Sequence, residues 1–102
     1  MKILIMIVHS ARQQDLADLL RSITQIEGFT FSHVEGHGVQ EARDPFLSAR
    51  DKVVGYVPRV RVDILLDDLH IDTVLESIRT MSNGGSDLGI FWVTNVQNSG
   101  RL

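Results

Sequence analysis

The feature of the sequence that most constrains the fold is a pair of segments with the same apolar spacing. Within residues 12–27, and again from residue 71 to residue 81, apolar side chains recur at offsets 0, 3, 4, 7 and 10. This spacing places them on one face of an α-helix. The ten positions are Leu16, Leu19, Leu20, Ile23, Ile26, Ile71, Val74, Leu75, Ile78 and Met81. The sequence therefore predicts two amphipathic helices, each burying one face.

Local signals predict where these helices begin and end. Ser10 and Gln13 have the spacing of a capping box before the first helix, and Gly28 is placed to end it. The two aspartates at 67–68 supply a cap and favourable charge before the second helix. The Asn-Gly-Gly segment at 83–85 tolerates positive φ angles and predicts the end of that helix.

Each predicted helix lies between two predicted strands. Residues 3–8 form a continuous apolar run, which is typical of a strand buried on both faces in the middle of a sheet. Residues 29–35, 59–66 and 88–96 alternate in polarity or are rich in β-branched and aromatic side chains. The resulting βαββαβ order over residues 1–102 predicts one α+β domain with a ferredoxin-like plait, a four-stranded antiparallel sheet with two helices on one face.

Two helices leave the other face of such a sheet uncovered. The apolar runs at 3–8 and 88–93 must place side chains on both faces. We therefore expect the second face to be buried by association with further copies of the chain.

Composition excludes several classes of function. With 10 basic and 13 acidic residues the formal net charge is −3, which does not favour nucleic-acid binding. The absence of cysteine excludes disulfides, thiol nucleophiles and Cys-ligated metal centres. No apolar run approaches the roughly 20 residues of a membrane-spanning helix, so we expect a cytoplasmic protein with no direct membrane insertion. The sequence contains no arrangement typical of a catalytic triad, a P-loop or a catalytic carboxylate pair. We therefore do not expect an enzyme.

A long segment at 41–57 separates the two halves, and it exceeds the length of an ordinary hairpin loop. Its apolar residues Phe46 and Leu47, with Arg43 and Arg50 on either side, are candidates for contact with a partner protein. The alternative is that Phe46 and Leu47 fold back onto the sheet.

Two segments that flank this loop resemble the PII signal-transduction superfamily. The segment Val34–Gln40 is similar to the family's V-x-G-x-G-x-Q stretch, and Tyr56–Asp63 is similar to its Pro-Lys-x-Lys-x-Glu stretch. The spacing between them fits the family's T-loop, which its members insert into their targets. Residues 82–89 of this chain correspond to the family's second phosphate-binding segment but contain no lysine or arginine. The tyrosine that is modified in the family's T-loop corresponds to a position near Leu47 of this chain. The chain thus resembles a divergent PII-like protein, a group that includes proteins associated with heavy-metal efflux systems.

The resemblance implies a homotrimeric regulator whose clefts between subunits bind an adenine nucleotide or another small anion. The 41–57 loop would then contact a target such as a membrane transporter. The effector-binding positions implied by the resemblance are Gly36, Gly38, Gln40, Arg59, Arg61, Asp63, Gly84 and Gly85. The alternatives are inter-subunit or sheet-face salt bridges for the charged residues and a simple turn for the two glycines at 84–85.

A second hypothesis concerns His33, Glu35 and His37, which alternate along a predicted strand and would share one face. Two imidazoles and a carboxylate suit a divalent transition metal such as Zn²⁺, Cu²⁺ or Ni²⁺. The chain would then be a CutA-like trimeric metal-binding protein in heavy-metal homeostasis. A solvated polar strand end is the alternative, and a structural interaction module without ligand is a third hypothesis. His9 and His70 are not predicted to be ligands.

Overall fold

The computed structural model describes residues 1–37, 57–82 and 88–102. Its four strands and two α-helices are β1 Lys2–His9, α1 Gln13–Ser22, β2 Thr30–Gly36, β3 Val57–Leu66, α2 Ile71–Arg79 and β4 Gly89–Asn95. Single 3₁₀ turns, Ser10–Arg12 and Asp68–His70, precede the two helices, and a third, Thr80–Ser82, follows α2. This is the βαββαβ order that the sequence predicts.

The four strands form one sheet in the order β2-β3-β1-β4, and every neighbouring pair is antiparallel. β1 lies in the interior between β3 and β4, as its continuous apolar run predicts. The register pairs His9 with Arg59 across β1 and β3, and Val34 with Arg59 across β2 and β3. The predicted α+β, ferredoxin-like fold is confirmed.

Both helices pack on the same face of the sheet. Alternate residues of β1 and β3 point to this face, because the strand period is two residues. The core they form with the helices includes Leu4, Met6, Val8, Leu16, Leu20, Val60, Val62, Ile64, Leu66, Val74, Leu75 and Ile78. Removing each such side chain from water stabilises the fold by about 1.5–3 kcal/mol.

The end of α1 differs from the prediction. The helix ends at Ser22, and Ile23 already has an extended backbone with ψ of 112°. Ile23 and Ile26 nevertheless pack on the core from the coil that follows, where the Ile26 amide donates to the Ile23 carbonyl at 3.1 Å. Gly28 lies beyond the helix, so it is not the residue that ends α1. The apolar spacing therefore extends past the end of the helix, because Ile23 and Ile26 are packed on the core by the coil and not by α1.

The predicted capping box at Ser10 and Gln13 is wrong. Ser10 opens the 3₁₀ turn, and the residue that caps α1 is Arg12, whose side chain makes no capping hydrogen bond. Arg12 Nη2 instead donates to the Met81 carbonyl at 3.0 Å, which ties the start of α1 to the turn after α2. Asp67 does act as a cap, but of the 3₁₀ turn that precedes α2, where its carboxylate accepts a 3.0 Å hydrogen bond from the Leu69 amide; the residue before α2 is His70, whose side chain makes no capping hydrogen bond. The predicted stop at 83–85 lies outside the described residues.

The face of the sheet opposite the helices, called the open face below, is apolar over β1 and β4. Register places on it Ile3, Ile5, Ile7, Leu65, Ile90 and Trp92. Ile90 is 64% exposed, and Leu65 and Trp92 are 41% and 40% exposed. Within the part of the chain that the structure describes, no helix is long and apolar enough to cross a membrane.

Candidate functional site

The polar end of the open face is centred on Arg59 of β3. β1 contributes His9 opposite Arg59, and β2 contributes Gly36 close by. Arg61 and Asp63 follow Arg59 at alternate positions of β3 and therefore share its face. Three strands thus bring an imidazole, two guanidinium groups and a carboxylate to one surface. We call His9, Gly36, Arg59, Arg61 and Asp63 the charged cluster.

His9 and Arg59 are in direct contact. Arg59 Nη1 lies 2.6 Å from His9 Nδ1, and His9 is only 7% exposed. A guanidinium group has donors and no acceptor, so Nδ1 must accept the hydrogen bond. The contact joins residues that are 50 positions apart in the chain.

Gly36 provides the space that Arg59 occupies. A Cβ built at residue 36 would lie 2.6 Å from Arg59 Cγ and 3.0 Å from Arg59 Nε, closer than unbonded atoms allow. Any larger residue at position 36 would therefore displace the middle of the arginine side chain. The glycine here is needed for close approach and not for a turn.

Arg61 and Asp63 form an ion pair within the same strand. Arg61 Nε lies 3.1 Å from Asp63 Oδ2, and Arg61 Nη2 lies 3.0 Å from Asp63 Oδ1. These two hydrogen bonds, with the charge of the carboxylate, raise the pKa of Arg61 above its ordinary value. This is the sheet-face salt bridge that the sequence left as the alternative for these residues.

The charged cluster lies at the end of the sheet where residues 37–56 connect β2 to β3. Gly36 of β2 pairs with Val57 of β3, so the segment between the strands leaves and returns at this end. The remaining predicted effector and partner positions lie outside the described residues; they are Gly38, Gln40, Arg43, Phe46, Leu47, Arg50, Gly84 and Gly85. Their roles stay predictions.

The three predicted metal ligands, His33, Glu35 and His37, do not all contact one another. His37 Nε2 lies 3.4 Å from Glu35 Oε2, whereas His33 Nε2 lies 3.2 Å from the side-chain oxygen of Gln13 at the start of α1. Across residues 1–37, 57–82 and 88–102, no three His, Cys, Asp or Glu side chains are grouped as a metal site. Metal binding by this set stays a prediction.

Comparison with known proteins places the chain in a family. A family model described as "Protein of unknown function (DUF3240)" matches residues 1–102. The chain belongs to the DUF3240 family. A solved structure of a DUF3240 family protein from Shewanella baltica superposes with a TM-score of 0.77 at 15% identity, covering 99% of this chain and 94% of that one. It shows that the two share a fold.

This DUF3240 protein is also distantly similar to nitrogen regulatory proteins. It is 28% identical to nitrogen regulatory protein P-II of Rhizobium meliloti, over 76% of this chain and 70% of the relative. It is 27% identical to nitrogen regulatory protein GlnK of Escherichia coli, over 76% of this chain and 69% of the relative. The similarity supports a PII-like relationship. The association with heavy-metal efflux stays a prediction.

Sequence reasoning did not select His9 as part of the site. A signal for it was present, because Ile3, Ile5 and Ile7 lead by steps of two to His9 on the same face of β1. Using that signal requires the register between β1 and β3, which the sequence does not supply. His70, also set aside, lies in the 3₁₀ turn at the opposite end of the sheet.

Proposed function

We propose that this protein is a PII-like regulator, a homotrimer that binds a small anionic effector at Arg59 and contacts a target protein through the 41–57 loop. The observation that carries the proposal is the position of Arg59, which lies over Gly36 and against His9 at the base of that loop. The distant similarity to the P-II and GlnK proteins supports the regulatory class.

The chemistry of Arg59 suits an anion. A planar guanidinium binds phosphate or carboxylate oxygens through two parallel hydrogen bonds. The protein as a whole carries a net charge of −3, so attraction of an anion must be local and not a property of the whole surface. Effectors with one or two anionic groups fit best, because residues 82–89 contain no lysine or arginine for a triphosphate.

The location of Arg59 also suits a switch. Arg59 and Gly36 lie beside Val57, where the segment between β2 and β3 returns to the sheet. An effector at Arg59 would touch the base of the loop, and it would shift the loop only if it bound one loop state more tightly than another. The target is a protein, and the resemblance favours a membrane transporter.

The open face supports the oligomer. Ile90, Trp92 and Leu65 present apolar surface on a face that the helices do not cover. Association through this face would remove that surface from water and would place the charged cluster at a subunit boundary.

Native mass spectrometry and calorimetry test the proposal together. We expect a trimer, and we expect heat of binding with at least one of ATP, AMP and inorganic phosphate. Arg59→Gln should weaken that binding by about tenfold or more. Arg79→Gln, at an exposed position of α2, should leave the affinity unchanged. A monomer, binding of none of the three probes, or full affinity in Arg59→Gln would overturn the proposal.

The contact between Glu35 and His37 favours a second candidate function, binding of a divalent transition metal. In that case His37→Ala should abolish stoichiometric Zn²⁺ binding by calorimetry, and His70→Ala should leave it unchanged. Unaltered zinc stoichiometry in His37→Ala would remove this candidate.

A further inference from the structure

We infer that His9 is the positioning residue of the proposed anion site and that it holds the Arg59 guanidinium in place as a neutral imidazole. This inference rests on the proposed function, since it assigns a second residue to the same site. The carrying observation is the 2.6 Å contact between Arg59 Nη1 and His9 Nδ1.

The direction of the hydrogen bond determines the form of His9. Arg59 can only donate, so Nδ1 must carry a lone pair. The ring is therefore neutral and its proton is on Nε2. Protonation of Nδ1 would remove the acceptor and place a second cation against the guanidinium.

The position of His9 makes it a rigid support. It is the last residue of β1, it pairs with Arg59 in the ladder, and it is 7% exposed. An arginine side chain has several rotatable bonds and loses much conformational freedom when it binds a ligand. A hydrogen bond from the guanidinium to a buried ring reduces that loss, because the side chain is already held before the anion arrives.

His9 and Gly36 act on different parts of the same side chain. The absence of a side chain at Gly36 leaves room for Arg59 Cγ and Nε, and His9 contacts Nη1 at the end of the side chain. The His9 contact also differs from the contact made by Arg61, whose guanidinium is bound by the Asp63 carboxylate.

The first experiment examines the contact in the free protein. Two-dimensional ¹⁵N NMR of the histidine rings should show His9 with an unprotonated Nδ1 and a protonated Nε2. Arg59→Met should shift the Nδ1 resonance of His9 and leave the His70 resonances in place. A protonated Nδ1, or a His9 spectrum that does not respond to Arg59→Met, would overturn the inference.

The second experiment measures, by calorimetry, the affinity for whichever of ATP, AMP and inorganic phosphate the wild-type protein binds most tightly. His9→Leu should weaken binding of that probe by about tenfold, because the guanidinium loses its support. His9→Asn should recover affinity to within about threefold, because its side-chain oxygen can take the place of Nδ1 as the acceptor. His70→Leu makes the same replacement at the other end of the sheet and should have no effect.

The outcomes separate this inference from the proposed function. If the wild-type protein binds one of the three probes and His9→Leu binds that probe equally well, the inference is wrong and the proposed function stands. Equal weakening in His9→Leu and His9→Asn also overturns it, because a hydrogen-bond acceptor would then not be what matters. If the wild-type protein binds none of ATP, AMP and inorganic phosphate, the proposed function fails together with the role of His9 in binding, and the NMR experiment decides on the contact alone.

Discussion

Arg59 lies directly over Gly36 of the neighbouring strand, with its Cγ 2.6 Å from the place where a Cβ of residue 36 would stand. The two residues belong to β3 and β2, whose ends are joined by residues 37–56. The position of the Arg59 side chain thus depends on the absence of a side chain at Gly36. A side chain added at residue 36 would have to displace Arg59.

Gly36→Ala should therefore weaken effector binding without unfolding the protein. The new methyl group displaces Arg59, and we expect a loss of about tenfold in affinity for the bound probe, because misplacement of a binding group is costly. The free energy of unfolding should change by less than about 1 kcal/mol, since the added methyl group meets a flexible arginine side chain and not backbone. Calorimetry and urea denaturation measure the two effects. Gly28→Ala, where nothing lies within 4 Å of the added methyl group, is the matched control.

Gly89→Ala should have the opposite profile and reduce stability. A Cβ at Gly89 would overlap the carbonyl oxygen of Ile7, which is backbone of the paired strand β1 and cannot rotate away. We expect the free energy of unfolding to fall by about 1–3 kcal/mol. Urea denaturation with Gly28→Ala alongside tests this. Equal midpoints for the two variants would show that the strands can separate to accept the methyl group.

Asp68 should make stability depend on pH in the acid range. Its carboxylate accepts hydrogen bonds from the N-terminal ammonium at 2.9 Å and from Lys2 Nζ at 3.2 Å, and these hold the pKa of Asp68 below its ordinary value of 3.8. A lowered pKa in the folded state stabilises the protein above the ordinary pKa, and this contribution is lost as the pH falls through the folded value.

Asp68→Asn should accordingly lose stability at neutral pH and approach the wild type under acid conditions below the ordinary carboxyl pKa. Urea midpoints measured at neutral and acid pH give this difference. Asp72→Asn, which removes one negative charge from the first turn of α2, controls for the change in net charge. A constant offset between Asp68→Asn and the wild type at every pH would contradict the assignment.

Ile90→Lys should dissociate the proposed oligomer. Ile90 is 64% exposed on the open face, and a lysine there would place a charge in an apolar interface. We expect a monomer by native mass spectrometry and a red shift in the emission of Trp92, the single tryptophan of the chain. Leu69→Lys, at an 84% exposed apolar residue outside the sheet, should change neither. An Ile90→Lys protein with unchanged mass would exclude this part of the face from the interface.

The sequence was sufficient for the order and type of the elements. Helical spacing and strand alternation are local properties of the chain, so the amino-acid pattern alone assigns positions such as Leu16, Leu20, Val74 and Ile78 to the core. The Asp67 cap was also local, because it acts on an amide two residues away. The prediction placed the end of α1 too late. Ile23 and Ile26 continue the helical apolar spacing, but they lie in coil and are apolar because they pack on the core.

Only the tertiary structure decided which polar residues meet. Arg59 and His9 are brought together by the register between β1 and β3, and His33 is turned to Gln13 and not grouped with Glu35 and His37. These contacts join residues 50 and 20 positions apart, and they depend on strand pairing across the whole sheet. The sequence by itself determined the fold and placed a cation at the base of the loop. The tertiary structure determined what holds that cation, because pairing between distant strands has no local signal.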